Sequence, residues 1–407
     1  MNRLRVPTRS WVLLSCLVAT TGGTTACIPK ASQSPDQDPE AAALYANPAA
    51  PPASAKKKLL RTGPAPAMER NLAEHFKSAF SLGVALEPQY LGDWSALIAS
   101  TFNRITAENA MKCAQIHPAQ HQYRYERADQ LADYARSHNM KMTGHALVWH
   151  QETPGWLVQG KPAEVADQLK QHIKDVVLRY ADVTDNWDVV NEAVSDSPGK
   201  VYRDGAEGSK LHAALGASYI ADAFRFADAA VSASGKNIDL YYNDYNLAKA
   251  DKRAKTIQMA KELRAAGVRI DGIGEQGHWS LTWPSTQEIE RMISEIVSAG
   301  FKVKISELDI SVYPRDDWDN KVWEPERVYD EALAQAQAAR YQAIFELFVK
   351  NAAHIESVTF WGLSDDRTWL DQLPKRGRDN YPLLFNDIDQ PKLAYFSLFD
   401  VTVPSAP

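Results

Sequence analysis

Two short apolar runs of this chain each carry a glutamate in a setting suited to acid–base work. One is Trp187-Asp188-Val189-Val190-Asn191-Glu192; the other is Ile305-Ser306-Glu307-Leu308-Asp309-Ile310. Both read as buried strands that deliver a carboxylate at the C-terminal end. Two carboxylates brought together from separate strands can cleave a glycosidic bond with retention. One acts as nucleophile and the other as acid/base, held roughly 5–5.5 Å apart. Taken singly, either is equally an ordinary strand-end acid that caps a helix or pairs with an arginine. Asn191, directly before Glu192, could donate to the sugar hydroxyl beside the reacting carbon.

Further chemistry-bearing residues gather at the ends of other runs. Thr106-Ala107-Glu108-Asn109-Ala110-Met111-Lys112 sets an acid, an amide and an ammonium close together. Such a set can hydrogen-bond neighbouring hydroxyls, or simply cap a helix. The stretch from Gly144 to Trp156 contributes His145, Trp149, His150 and Glu152. Alternation puts His145 and Trp149 on one strand face and His150 on the other. No cysteine or acid cluster completes a coordination sphere there, so no metal is expected. Gln276 and His278 follow a sixth run. Trp361 and Trp369 bracket a polar loop after the last run, where two indoles can form a platform for a sugar ring.

The elements that must position these residues alternate regularly. Apolar runs at 82–86, 102–107, 141–149, 185–190, 238–242, 270–274, 302–305 and 357–361 are separated by amphipathic stretches at 127–137, 165–180, 218–233, 252–266, 289–299 and 327–349. Strands alternating with helices in this way predict an α/β fold, a parallel (β/α)₈ TIM barrel forming a single catalytic domain over residues 68–407. A doubly wound open sheet should instead begin with a glycine-rich phosphate turn, and neither GxGxxG nor a Walker loop is present. In a barrel of this kind the chemistry sits at the C-terminal ends of the strands, where the polar and aromatic residues above crowd.

The N-terminus carries a different message. Residues 1–26 read as a signal peptide: Arg3, Arg5 and Arg9, an apolar run from Trp11 to Ala19, then small residues. That run is too short to span a bilayer, which takes about 20 apolar residues. Thr24-Thr25-Ala26-Cys27 resembles a bacterial lipobox and makes Cys27 a candidate for lipidation. Residues 27–67 turn to Ala, Pro, Ser and Gln and read as a disordered tether. The expected location is outside the cytoplasm, as a cell-envelope lipoprotein or a secreted protein. The formal charge of −6 becomes more negative once the leader's arginines are removed, which argues against a nucleic-acid partner. With Cys16 in the leader and Cys27 lipidated, Cys113 stands alone and no disulfide is expected.

The ordered set TAENAMK, GHALVWHQETPGW, WDVVNEA, LYYNDYN, IGEQGH, ISELDI and WGLSDDRTW resembles glycoside hydrolase family 10 across residues 69–402. That resemblance implies a cofactor-free endo-β-1,4-xylanase acting with retention, with xylan or xylo-oligosaccharide as its partner; a monomer is expected, though the sequence leaves the oligomeric state open. It implies Glu192 as acid/base, Glu307 as nucleophile, His278 and Asp309 as groups tuning Glu307, and Asn191 as a hydroxyl ligand. Glu108, Asn109, Lys112, His145, Trp149, Gln276, Trp361 and Trp369 would line the glycone side, and Tyr245 the aglycone side. Glu152 departs from the pattern, which usually has Gln there, and adds a carboxylate near the glycone side. Two other readings stand beside this one: another retaining β-glycanase on the same barrel, or a non-catalytic surface lipoprotein that captures glycan.

The lipobox reading has a direct consequence. Cys27→Ala is expected to release a fully active protein from membranes, because every candidate site residue lies beyond the tether. Membrane fractionation with N-terminal sequencing checks this; a wild-type protein already soluble and starting elsewhere than Cys27 means simple secretion.

Overall fold

The computed structural model describes residues 65–404. The expected leader, Cys27 and residues 28–64 of the expected tether lie outside the described residues. Ala65 is already packed, 1% exposed, and its N–H donates to the Asp93 carbonyl at 2.8 Å.

Eight parallel strands close into a barrel: β1 (Ser81–Leu86), β2 (Arg104–Ala107), β3 (Lys141–Gly144), β4 (Thr184–Asn191), β5 (Asp239–Asp244), β6 (Gly272–Glu275), β7 (Lys302–Ser311) and β8 (Ile355–Phe360). Successive strands pair, and β8 bonds to both β7 and β1, so no edge is left. Short strands at Val148–Trp149 and His278–Ser280 extend the ladder beside β4 and β7. The strand periods read from the sequence therefore lead to the expected (β/α)₈ barrel.

The helices between the strands follow ordinary signals. In Thr286–Ser298, Ser285 and Glu288 form a capping box at the start. Ile289, Met292, Ile293 and Ile296 line its buried face at the spacing of a single helical stripe. Gly300, at φ +87°, turns the chain out of it. The helix expected from Arg327 begins instead at Glu331, because the Asp330 side chain accepts from the Leu333 N–H and caps it there. A helix at Leu91–Ala99 was not foreseen: its buried face, Trp94, Leu97 and Ile98, spans little more than one turn, and no side chain caps its start.

The barrel interior is polar and charged rather than aliphatic. Arg104 on β2 bonds both carboxylate oxygens of Asp185. Lys304 on β7 reaches Asp188 at 2.9 Å and the Asn186 side-chain oxygen at 2.8 Å on β4. Buried charges tolerate this environment only when paired. Room for the larger side chains comes from glycines on neighbouring strands. A Cβ on Gly144 would lie 2.1 Å from the Trp187 ring, and one on Gly272 would lie 2.2 Å from Tyr241.

Two β-bulges decide which residues face inward. On β4, Asp188 opposes Tyr241 of β5, but the next partner, Tyr242, is opposed by Val190, so one residue is inserted. Asn191 rather than Val190 then lies opposite Asn243. On β7, Ile305 opposes Glu275 and Asp309 opposes His278, again one residue more than the facing chain. Ser306 and Glu307 consequently both reach Asn243, consecutive residues that strict alternation would send to opposite faces.

Gly274 is the test of this packing. A Cβ there would sit 2.4 Å from the Asn243 side-chain oxygen. Gly274→Ala is expected to lower stability by about 1–3 kcal/mol and to lower kcat by about tenfold or more by displacing Asn243 from Glu307. Thermal unfolding and steady-state rates measure both; a variant indistinguishable from the parent would mean that the interior yields freely.

Candidate active site

Glu192 follows β4, and Glu307 lies within β7 with strand continuing to Ser311. Both carboxylates line one cavity of about 860 Å³, counted with its open mouth, at the C-terminal end of the barrel. The other candidate residues line it too, except Glu108, Asn109 and Glu152.

Side-chain amides tie the two carboxylates into one lattice. Asn243 donates through Nδ2 to Glu307 Oε1 at 2.8 Å and to Asn191 Oδ1 at 2.9 Å. Asn191 in turn donates to Glu192 Oε1 at 3.2 Å, and Gln276 Nε2 donates to the same oxygen at 2.8 Å. Trp149 Nε1 donates to Glu192 Oε2 at 2.7 Å. Glu192 has φ +57°, a left-handed conformation unusual for a residue with a Cβ. Its N–H is held by the Asn243 carbonyl at 2.9 Å.

Glu307 has a second, charged neighbour. His278 Nε2 lies 3.3 Å from Glu307 Oε2, and its Nδ1 lies 2.8 Å from Asp309 Oδ2. Burial works against a charged imidazole, but Asp309 and Glu307 outweigh it, and His278 is pushed up to about 10. As an imidazolium it donates from both nitrogens, leaving both Glu307 oxygens acting as acceptors. Trp369 Nε1 donates to Asp309 at 2.9 Å and fixes the far end of this chain.

Aromatic rings form the walls. The Trp369 ring lies 4.7 Å from His278 and 5.5 Å from Trp318. Trp361 sits edge-on to His145 at 5.2 Å, and His145 Nδ1 is anchored by Asp188 at 3.0 Å. Apolar ring faces beside a few convergent polar groups suit a carbohydrate.

Glu108, Asn109 and Glu152 gather instead around Lys112, which does line the cavity. Lys112 Nζ donates to Asn109 at 2.9 Å and stands 4.7 Å over the Trp149 ring. Burial first, then Glu87, push Glu108 up to about 7, with Lys112 acting the other way. Glu152 is 2% exposed, with Gln115 Nε2 at 3.4 Å from its carboxylate. Burial raises its carboxyl above the usual glutamate range, opposed first by Lys112 and then by Gln115 and Lys210.

Several functional positions were missed. Asn243 lies in the LYYNDYN stretch, whose strand end flagged only Tyr245. Arg315 and Trp318 also line the cavity, but they come from a one-turn helix after β7, Asp316–Asp319, and its N-cap, too short for periodicity to single them out. Among the described residues, no group of three or more His, Cys, Asp or Glu could hold a metal ion.

The profile of glycosyl hydrolase family 10 matches residues 71–401. A β-1,4-xylanase of Dictyoglomus thermophilum is 39% identical over 328 residues, 81% of this chain and 90% of the relative. Endo-1,4-β-xylanase B of Paenibacillus barcinonensis is 37% identical over 334 residues, 81% of this chain and 97% of the relative. A mutant solved in complex with xylotriose superposes with a TM-score of 0.74 at 37% identity, covering 81% of this chain and 99% of that one.

The Glu152 carboxyl gives a pH-dependent prediction. Its proton is held more tightly in the folded chain than in the unfolded one. Its contribution to stability is therefore intact below the ordinary glutamate range and is lost as pH rises through the folded value. Glu152→Gln is expected to match the parent's Tm at pH 4 and to exceed it at pH 8 by roughly 2 °C or more. Its kcat should stay within about tenfold. Equal Tm values at both pH values, or a collapse in rate, would contradict this placement.

Proposed function

The chain belongs to glycosyl hydrolase family 10, and from that premise we propose that it is an endo-1,4-β-xylanase that hydrolyses internal bonds of xylan with retention of configuration. One observation carries the reading: two carboxylates from separate strands, Glu192 and Glu307, are joined across a single cleft through Asn243 and Asn191. The relatives named as xylanases and the xylotriose complex support the substrate class.

In the first half-reaction Glu307, as a carboxylate, attacks the anomeric carbon while Glu192 gives its proton to the departing glycosidic oxygen. The amides on Glu192 and the imidazolium on Glu307 keep the two acids in unlike environments, which is what separates their roles. Formation of the glycosyl ester removes the negative charge of Glu307, so Glu192 releases its proton more readily. Glu192 then takes a proton from the water that hydrolyses the ester, and Glu307 departs as a carboxylate. In this reading Lys112, held by Asn109 and backed by Glu108 and Glu152, presents its ammonium to an outer glycone subsite, and Tyr245 marks the leaving-group side. Export with lipid at Cys27 would place the enzyme at the cell envelope, with the 27–67 segment as its reach toward polymer.

The assignments separate in two variants. Glu307→Ala is expected to lose about 10⁵-fold in rate, since the covalent route disappears. Glu192→Ala should retain the first step on aryl glycosides with acidic leaving groups, and azide should rescue it with a β-glycosyl azide product. A β-glycosyl azide from Glu307→Ala, with none from Glu192→Ala, would reverse the two roles. Reducing-sugar release from xylan and not from carboxymethyl cellulose tests the substrate; the opposite preference would make the enzyme a β-glucanase.

A further inference from the structure

Arg203 lies outside every motif described above, yet it is 1% exposed and bonds both Glu192 and Tyr245. Its Nε donates to the main-chain carbonyl of Glu192 at 3.2 Å. One terminal nitrogen of the same guanidinium donates to the Tyr245 hydroxyl at 3.0 Å and to Asp196 Oδ2 at 3.2 Å. Tyr245 donates its own proton to Asp196, closing a triangle. Lys252 closes the lattice from below, with Nζ 3.0 Å from the other Asp196 oxygen and 2.9 Å from the Val194 carbonyl. Arg203 is held in place by its own main chain, whose N–H donates to the Ala193 carbonyl at 2.8 Å.

We propose that Arg203 is a positioning residue for proton donation, fixing the left-handed Glu192 turn and the cleft-lining Tyr245 hydroxyl with one planar guanidinium. A left-handed residue with a Cβ persists only where its surroundings over-determine it. The Glu192 carbonyl is the end of that turn which neither the Asn243 strand contact nor the amides on the carboxylate restrain. A guanidinium can hold two acceptors at fixed angles because its donors lie in one rigid plane, whereas an ammonium on a flexible stem cannot. The orientation of Glu192 therefore depends on the same group that sets Tyr245. The inference rests on the reading of Glu192 as the acid/base.

The dependence is sharpest where protonation of the leaving oxygen limits the rate. Arg203→Lys keeps a cation beside Asp196 and removes the planar fork. Across aryl β-xylobiosides of graded leaving-group acidity, its kcat/KM is expected to fall about tenfold or more for phenol and to stay within about threefold for dinitrophenol. A parallel loss across the whole series would mean a merely structural role, and an unchanged series would mean none; either overturns the proposal. Glu192→Ala in the same series separates the two ideas. If it shows no steepening, the acid/base assignment fails; if it steepens and Arg203→Lys does not, only the positioning role fails. Should Arg203→Lys not fold, Asp196→Asn loosens the same guanidinium while leaving it in place, and a flat series there overturns the proposal as well.

Discussion

Two carboxylates in one cleft cannot do different jobs unless something holds them in different surroundings, and here Asn243 stands between them. Its single amide donates toward Glu307 on one side and toward Asn191, and through it Glu192, on the other. Glu307 also faces the imidazolium of His278, whereas two amides and an indole donate to Glu192. The two acids thus sit against different partners: a positively charged ring beside Glu307, and amide and indole donors on Glu192. Most of the polar architecture of the cleft serves to maintain that difference.

Maintaining it requires backbone departures from regular strand geometry. A bulge in β4 turns Asn191 toward Asn243, and a bulge in β7 turns both Ser306 and Glu307 toward it. Ser306 Oγ donates to Asn243 Oδ1 at 2.6 Å, which fixes the orientation of the amide. The left-handed turn at Glu192 is a further local cost, offset by bonds at its N–H, its carbonyl and its carboxylate. Beneath the site, the ion pair of Lys304 with Asp188 joins β7 to β4, and Asp188 also anchors His145. The same interior chain of charges thus bears on both strands that carry the acids and on a cleft wall.

Lys112 organises the outer part of the site in a comparable way. One ammonium bonds Asn109, covers the Trp149 indole and offsets the burial of Glu108 and Glu152. Burial makes both carboxyls keep their protons more readily than free glutamates do, against the opposing pull of the cation, and Lys112 is the group of this set that faces the cavity.

The sequence by itself determined the alternation of strands and helices, and hence the barrel, because hydrophobic period is a local property of the chain. It also marked Glu192, Glu307, His278, Asp309 and the cleft tryptophans, since chemistry at the ends of barrel strands concentrates polar and aromatic residues in short, ordered stretches. It did not reveal the inserted residues in β4 and β7, because a bulge exists only relative to the partner strand's register. Asn243 and Arg203 were passed over for the same reason: an amide or a guanidinium in a strand or loop is unremarkable until its partners arrive from elsewhere in the chain. The start of the Glu331–Lys350 helix was set by the Asp330 cap, where the apolar pattern alone ran on too far upstream. Whether Glu152 belongs to the cavity wall or to the group behind Lys112 was likewise decided by tertiary structure, since burial depends on what packs against a residue and spacing along the chain does not encode it.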